Sequence, residues 1–312
     1  MHSPTPRVSV IVPHRNQPDG LDACLRSLGG QSLAASAFEI VVVDNGSASL
    51  PQAVVARHPA VRLLQELRPG PGLARNLGAE AASGDLLCFI DADCIAHPNW
   101  LQSVVEEFSF APAGIILGGD VRIWRENPSS FTAVEAYESV FAYRFKLYIE
   151  RHGYSGTGNL AVRRADFRTV GPFGGIDVAE DVEWGARARA AGLTFRYVPE
   201  MIVYHPARRS LRELFVKWDR HIQHALNMSA GKPWWRLRWI ARALAVLASP
   251  AVDTWKILAS DRLDGMCARV KGWTVLVVLR AYRAWRMVAL LSASGGVHWN
   301  REVAASLPKT RE

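Results

Sequence analysis

Short apolar runs alternate with amphipathic stretches through the first third of the chain. Val8–Val12, Ile40–Val43, Val61–Leu64 and Leu86–Ile90 predict strands, with helices near Leu21–Leu28, Pro51–Arg57, Leu73–Ala82 and Asn99–Phe108. Strand runs rich in Val, Ile and Leu that do not alternate with polar residues are buried on both faces. Separated by helices of about ten residues, they predict βαβ units and a parallel sheet covered on both sides. Ligands of such sheets bind beyond the carboxyl ends of the strands. Polar clusters stand at those ends: Pro13-His14-Arg15-Asn16 after the first run, Asp44-Asn45-Gly46-Ser47 after the second, and Asp91-Ala92-Asp93 after the fourth. A turn with a helix cap would also explain Asp44-Asn45-Gly46-Ser47.

Asp91 and Asp93, at i and i+2 past a strand end, leave the backbone on one side. Paired carboxylates so placed suit Mg²⁺ or Mn²⁺, which take hard oxygen ligands and complete their shell with water and substrate phosphates. Between the second and fourth runs, Pro69-Gly70-Pro71-Gly72 leads into a helix. Such a junction offers backbone N–H groups and a positive helix end to a diphosphate. It lacks the GxGxxG and GKS/GKT patterns of dinucleotide and ATP sites. Arg75, near that helix start, is disfavoured by the macrodipole unless an anion is close; a solvated arginine is the plain alternative.

Further along, Asp177-Val178-Ala179-Glu180 fits a capping box, which gives Glu180 a structural reason to be acidic. Asp181 has no such reason beyond first-turn dipole stabilisation. It is the candidate general base, held at the start of a helix over Ala179–Ala191 behind the flexible Gly171-Pro172-Phe173-Gly174-Gly175 loop. His205 closes a short strand at Ile202–Tyr204. A lone histidine in that place has no specific role from pattern alone.

Composition changes abruptly near Pro206. Residues 1–205 carry 18 Lys and Arg against 22 Asp and Glu, while 206–312 carry 19 against 7 and hold eight of the eleven tryptophans. The chain is therefore read as two parts, 1–206 catalytic and 207–312 a basic, Trp-rich helical region, the overall +8 being the sum of −4 before residue 206 and +12 from it onward. Three helices are predicted there, Ser210–Met228, Trp234–Leu258 and Met266–Leu291. Their uncharged runs fall well short of the roughly 18 residues that cross a bilayer. Trp234-Trp235-Arg236-Leu237-Arg238-Trp239 and Ala281-Tyr282-Arg283-Ala284-Trp285-Arg286 mix aromatics with arginine, as helices resting on an anionic lipid surface do; a cap on the catalytic part is the alternative. No RRM, zinc-finger or homeodomain pattern supports nucleic acid. A 49% hydrophobic composition excludes disorder. Cys24, Cys88, Cys94 and Cys267 form no CxxC pair, and no signal-peptide pattern precedes the first strand. The expected location is cytoplasmic, peripheral on the inner face of the cytoplasmic membrane, with the oligomeric state left open.

The ordered set Pro13, Asp44-Asn45-Gly46-Ser47, Gly72-x-Ala74-Arg75-Asn76-x-Gly78, Gly84-Asp85 and Asp91-Ala92-Asp93 resembles the nucleotide-sugar half of family 2 glycosyltransferases. Gly156-Thr157-Gly158-Asn159-Leu160 and Glu180-Asp181 resemble its acceptor-side motifs, so the likeness covers roughly residues 7–205. It implies a GT-A fold, a Rossmann-like, mostly parallel sheet with helices on both faces, followed here by the helical segment. It also implies inverting, usually metal-dependent transfer from a UDP-, GDP- or dTDP-linked sugar to a glycan or lipid-linked acceptor. By that likeness Pro13, Arg15 and Asp44 hold base and ribose, Arg75 approaches the phosphates, and Asp91 and Ala92 complete the nucleotide site. Asp93 and His205 bind Mn²⁺ or Mg²⁺, Asp181 is the base, and Gly158, Asn159, Glu180 and Trp184 face the acceptor. A nucleotidyltransferase or a non-catalytic nucleotide-binding homologue is the rival reading; the former would carry a basic Gly-rich loop after the first strand, where Pro13-His14-Arg15-Asn16 stands.

Overall fold

The computed structural model describes residues 7–176 and 178–291. Contacts divide the chain into two units. One takes in the chain up to Arg122 and Arg144–His205; the other takes in Ile123–Tyr143 and the chain from Pro206 onward. That Ile123–Tyr143 belongs with the second unit is not visible in the compositional change near Pro206.

The first unit is built on eight strands: β1 Val8–His14, β2 Phe38–Asp44, β3 Val61–Gln65, β4 Leu86–Ile90, β5 Ile95–Ala96, β6 Ile115–Trp124, β7 Asn159–Arg163 and β8 Thr194–Pro206. They form one sheet in the order β3-β2-β1-β4-β7-β6-β8-β5. Side-chain parity explains why the central runs are continuously apolar. Val8, Val10 and Val12 of β1 pack on one face with Leu21, Leu25 and Trp100, while Ile11 packs on the other with Phe89, Leu160 and Trp184. Alternate residues of each strand thus enter different cores, both roofed by helices.

The sheet is mixed: parallel in its first half, as the apolar runs of residues 8–90 predict, and antiparallel beyond β4. β1 pairs in parallel with β2 and β4, and β2 with β3, but β7 runs antiparallel to both β4 and β6, and β5 runs antiparallel to β8. The helix expected over Pro51–Arg57 is one turn, Gln52–Val55.

In the second unit, Ala133–Phe141, Leu211–Ser229, Trp235–Ala248, Pro250–Leu258 and Gly265–Ala289 are helices. Thr132 and Glu135 close a capping box at the first, and Ser210 accepts from the Glu213 N–H at the second. A core of Val134, Tyr137, Leu214, Ile257, Val275 and Leu279 holds this unit. Gly272 lets two of its helices approach closely, since a Cβ there would lie 3.3 Å from the Ala136 backbone. The single helix expected over Trp234–Leu258 is two, broken at Ser249. Pro250 has no N–H to continue the ladder and instead starts the next helix, where that donor is not needed.

Candidate active site

Register decides which residues meet. His14 at the end of β1 stands opposite Asp44 at the end of β2, and β4 ends in step with them, so Asp91 emerges at the same edge. Antiparallel pairing of Ile90 with Asn159 brings the start of β7, and Gly158 before it, beside Asp91. Similarly, pairing of Ile95 with Tyr204 brings His205 back to Asp93. The His205 Nε2 and Asp93 Oδ2 atoms are 3.5 Å apart.

Arg75 is the hub of this edge. Its Nη1 donates to Glu180, 105 residues away, and its Nη2 donates to Asp91 Oδ1 at 2.6 Å. Although burial opposes the charge, Glu180 and Asp91 hold the Arg75 pKa above its ordinary value. The anion that its position near a helix start requires is therefore the protein's own. Both terminal nitrogens of the guanidinium are engaged by these acids, while Nε is buried without a partner. Two glycines admit the network. A Cβ on Gly158 would meet Asp91 Oδ2 at 2.6 Å, and one on Gly72 would meet the Gly174 carbonyl at 2.3 Å and Glu180 Oε2 at 3.3 Å. Asn76, one residue past Arg75, exchanges hydrogen bonds with the Phe173 backbone at 2.9 and 2.8 Å and fixes the loop ahead of Glu180.

Glu180 opens the helix Glu180–Ala190, whose N-cap is Ala179 with no side-chain cap bond. Its carboxylate goes to Arg75, so the capping-box explanation fails for Glu180; Asp177 itself lies outside the described residues. Burial pushes the Glu180 pKa up, against the pull of Arg75. Asp181 follows. Its Oδ1 accepts from the Val182 N–H at 2.9 Å, and Oδ2 has no hydrogen-bond partner among the described residues. Burial again raises its pKa, opposed by that N–H and by Arg75, which leaves a more basic carboxylate than a solvated aspartate. Tyr154 belongs to this neighbourhood and was not foreseen. Burial and then the Asp181 charge push its phenol up to about 12. The available signal was Gly185, a glycine inside a helix, where a Cβ would lie 2.5 Å from that of Tyr154.

Among the described residues, ligand atoms of Asp93, Cys94 and His205 lie within 4.8 Å of one another. Burial raises the Cys94 pKa well above that of a free thiol, and sulfur is a softer donor than Mn²⁺ or Mg²⁺ prefers. A carboxylate and an imidazole remain, a donor pair that fits Mn²⁺ and leaves positions for phosphate oxygens and water.

Other expected residues are placed differently. Asp44 is fully buried. Its Oδ1 lies 3.0 Å from His14 Nδ1 and its Oδ2 accepts from the Ser47 N–H at 3.0 Å. Because His14 Nε2 accepts from the Gln17 N–H, Nδ1 carries the proton and donates to Asp44. Asp44 thus shapes the loop and offers no open carboxylate. Asn159 is 0% exposed: Oδ1 accepts from Trp100 Nε1, and Nδ2 donates to the Asp120 and Met201 carbonyls. Its Nδ2 ties β7 to β6 and β8 while its Oδ1 anchors Trp100 of the helix Trp100–Phe110, so it is a structural residue. Trp184 is 1% exposed among Phe167, Phe173 and Phe195, with its N–H on the Gly171 carbonyl; it too is core. The Ala92 side chain is buried in the other core. Pro13 and Arg15 stay partly exposed at the edge.

Residues 9–170 match the family model described as Glycosyl transferase family 2. Over 214 residues the chain is 33% identical to glycosyltransferase AglE of Haloferax volcanii, covering 67% of this chain and 69% of that protein. It is 28% identical over 218 residues to the pre-mycofactocin glycosyltransferase of Mycobacterium tuberculosis, covering 66% of this chain but 44% of that one. Among solved structures, it resembles the mannosyltransferase PcManGT from Pyrobaculum calidifontis in complex with GDP-Man and Mn²⁺, with TM-score 0.55, 20% identity, and 92% and 87% of the two chains covered. Staphylococcus aureus TarS 1-349 in complex with UDP-GlcNAc is similar at TM-score 0.52 and 18% identity, over 88% and 90% of the chains. The fold is that of the GT-A glycosyltransferases.

Proposed function

The chain belongs to glycosyltransferase family 2, and on that premise we propose that it is an inverting enzyme moving a sugar from a nucleoside-diphosphate donor to an acceptor hydroxyl. One observation carries the reading: Asp181, the Asp93–His205 pair and the Arg75–Glu180–Asp91 network converge on one edge of one sheet. Asp181, made more basic by burial, takes the proton of the acceptor hydroxyl as its oxygen attacks the anomeric carbon. The bond from that carbon to the diphosphate breaks with its electron pair leaving on the nucleoside diphosphate, so one displacement inverts the centre. Asp93 and His205 would hold a divalent ion, Mn²⁺ or Mg²⁺, whose chemistry when bound is to neutralise charge on the departing diphosphate. Arg75 positions Glu180 and Asp91 and keeps the two acids from repelling one another.

A lipid-linked or polysaccharide acceptor at a membrane surface is supported by the second unit. Leu237, Leu244 and Leu247 are exposed along one helix, with Trp234 exposed at its N-cap, and Val252 and Trp255 along the next. No helix among the described residues is long and apolar enough to cross a membrane, so contact would be peripheral. The test is release of nucleoside diphosphate from a panel of UDP-, GDP- and dTDP-sugars with Mn²⁺ or EDTA, with the product anomer read by proton NMR. A retained configuration, or transfer indifferent to EDTA, would overturn the mechanism.

A further inference from the structure

Arg280, Arg283 and Arg286 stand three residues apart near the end of the last helix, Gly265–Ala289, and two of them are neutralised. Arg280 Nη2 lies 2.7 Å from Asp253 Oδ2, and Arg286 Nε lies 3.1 Å from Asp219 Oδ1. Arg283 stands between them without an acid. Its guanidinium carbon is 3.4 Å from the Trp218 ring centroid, and its Nε and Nη1 are buried with no hydrogen-bond partner. Stacking on tryptophan occupies the face of a guanidinium and leaves its N–H edge to donate. Buried donors are rarely left unmade, because each costs its full desolvation. Arg283 stays charged even so: burial, then Arg280, lowers its pKa only to about 10.

Arg283 also lines a cavity of about 250 Å³, several times the roughly 30 Å³ share of a water molecule. Trp218, His221, Trp239, Arg242 and Arg283 line it, and no lining residue is acidic. Trp239 is fixed there by its N–H on the Met287 carbonyl at 2.8 Å, and Arg242 is exposed beside it, its guanidinium carbon 5.8 Å from the Trp239 ring. Burial, with Lys217 and Arg220, holds His221 at about 4, so at neutral pH it is an uncharged hydrogen-bonding group. Two guanidiniums in a cavity whose lining holds no carboxylate match a dianionic oxyanion.

We propose that this cavity, walled by Arg283, Arg242 and Trp218, is a phosphate-binding site, taking a phosphomonoester group from a lipid headgroup or a free phosphate. The exposed Leu237 and Leu244, on the same helix as Arg242, favour the amphiphile. The site is independent of the sheet-edge residues and of the reading placed on them.

Calorimetry of the full chain with inorganic phosphate tests it, together with pelleting on phosphatidylcholine vesicles with and without phosphatidic acid. Arg283→Met should weaken phosphate or phosphatidic-acid binding by roughly tenfold or more, and Arg242→Gln by less. In phosphate-free buffer Arg283→Met should melt no lower than wild type, since it removes an uncompensated buried charge. Should Arg283→Met fail to fold, the exposed Arg242→Gln carries the comparison. Binding of inorganic phosphate identifies a free-phosphate site; binding only to vesicles that contain phosphatidic acid identifies a headgroup site. Wild type binding neither probe, or variants binding as wild type does, would overturn the proposal.

Discussion

Replacing Arg75 by Met removes the cation of the sheet-edge network while keeping most of its volume. Two carboxylates then lose their partner, and exposure decides their weights. The Glu180 side chain is 15% exposed, so stranding it should cost about 3–5 kcal/mol, as for any buried pair broken from one side. The Asp91 side chain is 38% exposed; solvent screens it, and its share is under about 1 kcal/mol. With about 2–4 °C lost per kcal/mol in a domain of this size, Tm should fall by roughly 6–24 °C. The sign with pH is fixed. Glu180 already titrates above its usual value of 4.5, and losing Arg75 raises it further. A carboxyl so raised favours the fold below its unfolded pKa and loses that contribution as pH rises through the folded pKa. The deficit of Arg75→Met should therefore be largest near neutrality and shrink as pH falls toward 5. Thermal melts followed by tryptophan fluorescence measure it, and a cycle with Glu180→Gln should recover about 1–3 kcal/mol. A variant as stable as wild type, or a deficit that does not change with pH, refutes the reasoning.

Asp181→Asn should lower transfer by roughly 10²–10⁴ while nucleoside diphosphate still binds. Because burial raises Asp181 above the usual 3.8, its stabilising neutral form is lost as pH rises through the folded pKa; at pH 7 the Asn variant should melt higher, and the acid limb of kcat/KM should lie above 3.8. A lower melting temperature with transfer retained would disqualify Asp181 as the base. Asp93→Ala should abolish Mn²⁺-dependent nucleoside diphosphate binding in calorimetry with an unchanged circular dichroism spectrum; affinity equal in EDTA and Mn²⁺ for wild type would rule the metal out. Gly158→Ala pushes a Cβ to within 2.6 Å of Asp91 Oδ2 and should shift that carboxylate, lowering kcat/KM by up to roughly 10²-fold at little cost in stability. Unaltered kinetics would show that the placement of Asp91 is not critical.

Strands β1, β2 and β4 were legible because they are buried on both faces and read as unbroken apolar runs. β6 was not, since its middle is Gly118-Gly119. A Cβ on Gly119 would come within 2.4 Å of Asn159 Nδ2, so glycine makes room for the amide that ties three strands together. Asn159 shows the corresponding limit for motifs: residue type and position are visible in the chain, but not whether the side chain turns to a substrate or to the backbone. Arg75 shows it for charge. Its cationic character near a helix start asked for an anion, and only the fold reveals that the anion is Glu180, 105 residues later.

The direction of β7 explains why so much of the site gathers at one edge. In a wholly parallel sheet every strand would begin at the far edge, and only residues following strands could meet. Because β7 runs antiparallel to β4, the residue preceding it, Gly158, stands against the residue following β4, Asp91. β8, antiparallel to the two-residue β5, returns His205 to Asp93 in the same way. Residues before one strand and after others thus share a single edge, which the central parallel strands alone could not supply. The change of direction past β4 is therefore what converts a nucleotide-type sheet edge into a candidate catalytic one.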